Sequence, residues 1–181
     1  MLVEKYTDVN IFRPECNFSF DSVNVIATFD ADVSPVLPYL NATLGGYAFD
    51  AETSTLTLKS SGKLVTIRPT SVAINGLKDQ EEVQRVLNWL KNEINDTFEQ
   101  RDSLQPSYTS RPLINVVAIL KYLPRTNCRE CGEPTCMAFA AKIRDGERTP
   151  EDCPPLTPEQ RQKFTDFLQA SGWTALDADL W

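Results

Sequence analysis

Residues 55–98, TLTLKSSGKLVTIRPTSVAINGLKDQEEVQRVLNWLKNEINDTF, change from a two-residue to a 3.6-residue apolar period partway along. Residues 55–60 and 63–69 alternate apolar with polar side chains, which predicts two half-buried strands, and Ser61-Gly62 between them predicts a tight hairpin turn. A further short strand is expected over 71–74, running into a turn at Asn75-Gly76. Asp79 with Glu82 three residues on has the form of a capping box, and Val83, Val86, Leu87, Leu90, Ile94 and Phe98 then recur at helical spacing. That stripe is one face wide, so the helix should lie on an antiparallel sheet and leave Glu81, Arg85, Lys91 and Asn92 in water. Strands followed by a long packed helix define an α+β fold.

Working toward the N-terminus, residues 47–51 read as another strand. Ser34-Pro35 reads as an N-cap with a first-turn proline, opening a short helix on Val36, Leu37 and Leu40 that stops before Gly45-Gly46. Phe18, Phe20, Val23, Val25, Ala27 and Phe29 favour a strand with a turn or bulge near Asp21. Residues 1–16 show little periodicity and are expected to form an extended arm, with the lone Cys16 a small core residue among Phe12, Phe18 and Phe20. The order strand, short helix, four strands, long helix resembles one half of the TATA-binding-protein fold, and Ser60-Ser61-Gly62-Lys63 is similar to its hairpin. The resemblance implies a curved antiparallel sheet, a helix on its convex side and a free concave face. It does not imply DNA binding, because residues 1–104 hold 9 basic and 15 acidic residues. A net charge of -6 there is the wrong sign for gripping phosphates.

The whole chain of 181 residues is 41% hydrophobic, enough for one or two modest cores, and its net charge of -7 disfavours nucleic acid and anionic membranes. It contains no histidine, which excludes His-dependent triads, His-carboxylate iron sites, mixed Cys/His zinc sites and Rieske-type clusters. The first sixteen residues lack a secretory h-region, and no apolar run is long enough to span a bilayer, so a cytoplasmic protein without membrane insertion is expected. In a reducing compartment clustered cysteines bind metal more often than they form disulfides.

Residues 102–111 are polar and rich in breakers, and 105–111 are taken as the linker between a sheet domain, 1–104, and a small helical domain, 112–181. Pro112 should open a helix with Leu113, Val116, Val117 and Leu120 on one face, ending at Leu123-Pro124. Four of the five cysteines follow as C-x2-C-x4-C-x16-C: Cys128, Cys131, Cys136 and Cys153. A compact trio with a remote fourth cysteine followed by Pro suits a [4Fe-4S] cluster, the trio holding three irons and Cys153 the last. Two other readings remain. An all-cysteine zinc site usually presents two short C-x2-C knuckles, and a disulfide framework suits small secreted domains.

Around the ligands, Gly132, Pro134 and Thr135 are compact enough for backbone N–H groups to approach sulfur. Cys136 should begin a helix to about Asp145, capped by Gly146, with Met137, Phe139, Ala140 and Ile143 as apolar cover. Residues 121–148 hold six basic and four acidic residues, a local +2 that offsets cluster charge. The charged Arg129, Glu130 and Glu133 lie between ligands and favour an exposed loop over 129–135.

The run Leu123-Pro124-x-Thr126-Asn127-Cys128-x2-Cys131-Gly132-Glu133-Pro134-Thr135-Cys136-x-Ala138-Phe139-Ala140, closed by Cys153-Pro154, resembles the [4Fe-4S] domain of the corrinoid iron-sulfur protein large subunit. It is also similar to the cluster domain in the B subunit of the Rnf/Rsx electron-transport complex. The resemblance covers residues 112–158 and implies cluster ligation by Cys128, Cys131, Cys136 and Cys153. It further implies one-electron transfer at low potential, in the corrinoid case to return oxidised cobalt to its active state. The chain has no room for a cobalamin-binding barrel, so any corrinoid belongs to a partner.

At the C-terminal side Thr157, Pro158 and Gln160 form a capping box for a last helix with Phe164, Phe167 and Leu168 on one face up to Gly172. Trp173 and Trp181 are expected to tuck over the core. The function expected is an electron carrier or accessory protein of anaerobic metabolism rather than an enzyme, with a redox partner protein, corrinoid or other. The alternative is a non-redox regulatory or adaptor module whose metal cluster is structural and whose sheet domain binds a ligand or partner. Asp30, Asp32, Asp50 and Glu52 are read as ordinary loop acids.

Overall fold

Strands β4 (Thr55–Ser60) and β5 (Lys63–Ile67) pair antiparallel from Ser60 opposite Lys63 to Leu56 opposite Ile67. Two residues therefore connect them, as the hairpin spacing requires. This computed structural model describes residues 1–13, 22–60 and 62–173. Cys16, the turn near Asp21 and Trp181 lie outside the described residues. The chain divides into two compact units, Met1–Ser110 and one beginning at Arg111.

In the first unit β1 (Tyr6–Phe12), β2 (Val23–Phe29), β3 (Ala48–Asp50), β4, β5 and β6 (Ser71–Leu77) form one antiparallel sheet in the order β1-β2-β6-β5-β4-β3. Along β4 every second side chain, Leu56, Leu58 and Ser60, is buried. Leu56 and Leu58 share one core with Leu37 and Leu40 of α1 (Leu37–Leu44) and with Val83, Val86, Leu87, Leu90 and Ile94 of α2 (Gln80–Gln100). Each such side chain contributes about 1.5–3 kcal/mol when fully removed from water. Ile26, pointing the other way from β2, remains 45% exposed.

Four expectations about the sheet unit need correction. Residues 6–12 are not an arm but the edge strand β1, whose outer positions are mostly exposed, so neither period shows in the sequence. The preceding residues are fastened by Asn95 of α2. Its Oδ1 accepts the N–H groups of Leu2 and Val3 at 2.7 and 2.9 Å, and its Nδ2 donates to Val3 O. Helix α1 starts at Leu37 with Val36 as N-cap, because Ser34 is engaged instead in a turn closed by Asp32. Asn75-Gly76 is no turn: β6 continues to Leu77, and three of its steps from Ile74 face two on β2, from Val25 to Val23. The extra residue is a β-bulge, and Gly76 occupies it at φ 80°. The capping box of α2 is half formed. Asp79 accepts from Glu82 N at 2.8 Å, but the Glu82 carboxylate turns to Lys78 N (2.6 Å) and Lys63 Nζ (2.7 Å), tying β5 to the start of α2.

Residues 107–110 are hydrogen-bonded to the sheet unit. Ser107 N donates to Pro38 O, the buried Asn41 donates to the carbonyls of Ser107 and Thr109, and the Ser110 hydroxyl bonds both polar backbone groups of Phe49.

The second unit contains α3 (Val116–Leu120), α4 (Cys136–Asp145), α5 (Pro158–Ala170) and a 3-10 turn at Pro150–Asp152. The expected helix from Pro112 is shorter and differently faced. Asn115 caps it by accepting Val117 N, Leu113 and Val117 are exposed, and Ile114, Ile119 and Leu123 are the buried residues. Helix α5 begins with the expected Thr157–Gln160 capping box and buries Phe164 and Leu168. Tyr122 stacks on Phe164 and Phe167 at 5.4 and 4.5 Å between ring centroids, and Trp173 tucks in by donating its indole N–H to Ile143 O at 2.6 Å.

Candidate metal centre

Thr135 ends the loop before α4 in extended conformation, and its hydroxyl accepts Ala138 N at 3.1 Å, so Cys136 becomes the first helical residue. Its backbone N–H is taken by Asn127 Oδ1 at 2.8 Å, which folds the residue preceding Cys128 back onto the start of the helix. Between them the chain is strongly kinked. Arg125, Asn127 and Arg129 have φ of 59, 51 and 66°, three of the four non-glycine positive-φ residues among the described residues. Each such conformation costs about 1–2 kcal/mol, least for Asn, and clusters of this kind mark sites where geometry serves a ligand. Two local bonds hold the kinks: Arg125 Nε donates to Leu120 O, and Gly132 N donates to Arg129 O.

The remote cysteine is set by a separate device. Gly146 closes α4 in the left-handed conformation. The Thr149–Asp152 capping box then nucleates the 3-10 turn that delivers Cys153. Arg161, on the first turns of α5, donates from Nη2 to Cys153 O (3.2 Å) and Pro154 O (3.4 Å).

Cys128 is exposed, Cys131 and Cys136 are half-buried, and Cys153 is buried at 5% exposure. Cys131 and Cys136 pack against the hydrophobic cluster that contains Cys153. Burial pushes the Cys153 thiol up from its ordinary value, and the charges of Cys131, Cys136 and Cys128 push it further. Cys153 therefore lies within electrostatic reach of each of the other three. A cationic metal centre reverses that balance, because thiolates that repel each other when empty-handed are stabilised by a shared cation. The N-terminal end of α4 at Cys136 adds a favourable dipole for an anionic assembly.

Two expectations about the surroundings are corrected. Glu133 is buried, at 7% exposure, rather than part of an open loop: it is paired with Lys142 Nζ at 2.8 Å and Arg148 Nη2 at 3.5 Å. The Lys142 hydrogen bond, ahead of the charges beside it, holds its carboxyl below the usual range. Met137 gives no cover; it is 46% exposed, and Phe139, Ala140 and Ile143 close the inner side. Residues 128–130, 132, 134 and 135 are exposed as expected. Neither Asn127 nor Arg161 was singled out from the sequence. Asn tolerates a left-handed backbone, which is a faint signal for the first, and nothing in the sequence marks the second.

The loop acids do structural work in the sheet unit. Asp30 accepts the N–H groups of Glu4 and Lys5. Asp32 and Asp50 are held below the usual carboxylate range by the Ser34 and Thr53 hydroxyls respectively, with backbone N–H groups assisting.

Four cysteines held by two caps and a kinked loop define a cysteine-rich domain, and its sequence has relatives. Residues 123–155 match a family described as "Putative Fe-S cluster". The chain is 63% identical over 41 residues to acetyl-CoA decarbonylase/synthase complex subunit gamma 1 of Methanosarcina thermophila, covering 23% of this chain and 9% of that protein. To the gamma subunit of the same-named complex it is 47% identical over 57 residues in Archaeoglobus fulgidus, covering 28% and 12% of the two chains. In Methanothermobacter thermautotrophicus the figures are 42% over 55 residues, covering 30% and 12%. The chain thus spans about a tenth of the length of these curated relatives. No solved structure matches the chain. The protein contains an iron-sulfur domain similar to that of these gamma subunits. Among the described residues no helix is long and apolar enough to cross a membrane.

Proposed function

We propose that the chain is a cytoplasmic [4Fe-4S] protein of anaerobic metabolism, with Cys128, Cys131, Cys136 and Cys153 as ligands, that passes single electrons to a partner protein. The observation that carries this reading is the packing of Cys131 and Cys136 against the hydrophobic cluster that contains Cys153, with the cysteines graded from the exposed Cys128 to the buried Cys153. The C-x2-C-x4-C-x16-C spacing suits a polynuclear cluster, in which each thiolate binds its own iron, better than a single zinc, whose all-cysteine sites usually present two short C-x2-C knuckles. When bound, the cluster supplies a one-electron couple. The chain's own residues orient the thiolates through Asn127, Thr135 and Arg161, and exclude water on the inner side with Phe139, Ala140 and Ile143.

The similarity to gamma subunits of a multi-subunit complex and the resemblance to the corrinoid iron-sulfur protein both support a protein partner, a corrinoid protein foremost. Exposure of the 128–130 segment supports access by that partner to the ligand loop. The element order β2-α1-β3-β4-β5-β6-α2 supports likening the sheet unit to half of a TATA-binding-protein fold.

The test is anaerobic purification with iron and sulfide analysis, followed by electrochemistry. We expect about four irons and four sulfides per chain. Cys136→Ala should lose the cluster and Cys16→Ala keep it, and a reversible one-electron wave should appear at low potential. One zinc without sulfide refutes the cluster. A full cluster with no reversible wave refutes the carrier and leaves the adaptor reading, in which metal braces a core that includes Cys153.

A further inference from the structure

Arg161 stands on the stripe of α5 that turns inward, three residues before the buried Phe164 and seven before the buried Leu168. These two pack in the same core as Cys153. Its guanidinium is permanently charged and offers five donors in a fixed plane. Nη2 is spent on the carbonyls of Cys153 and Pro154. Nε is sealed from solvent and has no hydrogen-bond partner. Folded proteins rarely leave a buried donor unmatched, least of all a charged one, so such a donor marks an acceptor that the polypeptide itself does not provide. The residue it already clasps by its carbonyl is a cysteine of the site, where an inorganic sulfide of a bound cluster would be an anionic acceptor.

We propose that Arg161 is a positioning residue of the cysteine site, whose guanidinium pins the Cys153 loop and donates its Nε–H to an inorganic sulfide of the bound cluster, raising the reduction potential. The proposal rests on the iron-sulfur reading. Hydrogen bonds to cluster sulfurs and nearby positive charge both withdraw electron density, and both are among the factors that set cluster potential. Reduction adds one negative charge to the site, and a fixed cation beside Cys153 stabilises that state over the oxidised one. Nothing else on α5 does this work: Lys163 is exposed and paired with Glu159.

The experiment compares the full chain with Arg161→Gln and Arg161→Lys, purified anaerobically, each scored first for iron and sulfide and then by redox titration. Absence of iron and sulfide from the unsubstituted chain refutes the cluster reading itself. With the cluster present, Arg161→Gln should weaken reduction about tenfold, a negative shift of about 59 mV for a one-electron couple. Arg161→Lys, keeping charge without the planar fork, should shift less in the same direction. An unchanged midpoint in Arg161→Gln at full iron content overturns the proposal. Should that variant hold no iron, Arg161→Lys decides alone: a midpoint equal to that of the unsubstituted chain overturns it, and a negative shift supports it.

Discussion

Asn127 joins two unusual features in one residue: a left-handed backbone at φ 51° and a side-chain oxygen 2.8 Å from Cys136 N. Replacing it with Ala removes the hydrogen bond, about 1 kcal/mol, and forces Ala into a conformation that costs about 1 kcal/mol more than it costs Asn. The sum of about 2 kcal/mol corresponds to roughly a thirtyfold shift in the local opening equilibrium. Asn127→Gly loses only the hydrogen bond and should shift it roughly fivefold. The assay is chelator-driven iron release from the anaerobic protein, followed by loss of visible absorption, with the rate reporting opening of the ligand loop. The order Ala fastest, Gly intermediate, Asn slowest is the expected result. Equal rates for Gly and Ala refute the backbone argument, and rates equal to the unsubstituted chain in both refute the clasp.

In the sheet unit, Glu82→Gln should lower stability at neutral pH by about 2 kcal/mol, read by hydrogen exchange along α2, because Lys63 is left half-sealed beside a neutral group. Burial pushes the Glu82 carboxyl up, but Lys63, the Lys78 N–H and Arg85 together outweigh it and hold it below the usual range. Its contribution is therefore present above the unfolded value of about 4.3 and fades as pH falls through the lower folded value, so the gap between the unsubstituted chain and the Glu82→Gln variant should close in acid. Gly76→Val should cost about 1–2 kcal/mol, since the bulge holds φ at 80°; a denaturation midpoint that does not move rejects the bulge assignment. Duplex DNA should not bind at moderate salt, given the net -6 of residues 1–104; micromolar binding in a mobility-shift titration contradicts this.

What could be read from the sequence was whatever is governed by a local period or a local cap. Helix α2, the β4–β5 hairpin, the start of α4 at Cys136 and the capping box of α5 all rest on contacts within a few residues. Strand β1 was hidden because only one edge of it is paired, leaving Asp8, Val9 and Asn10 exposed in succession. Asn75-Gly76 has a turn's composition, and only the register against β2, set by pairing with residues far off in sequence, makes it a bulge. Pro112 and Leu113 resemble a helix start, but Asn115 has the better capping side chain and takes the role. The four cysteines were evident from spacing. The burial of Glu133 was not, because its partners Lys142 and Arg148 come from the far side of the loop and from beyond α4.

The exposure gradient from Cys128 to Cys153 gives the site a direction of wear. An oxidant or chelator arriving from water meets the Cys128 sulfur first, where a thiolate is open to sulfenic acid formation and, from there, to return by reduction. Cys153 lies behind apolar side chains, held through its carbonyl by Arg161. On the cluster reading proposed above, damage would therefore begin at Cys128 and leave Cys153 in place. A site injured in that order would keep its buried corner clasped, and repair would need only the exposed corner refilled.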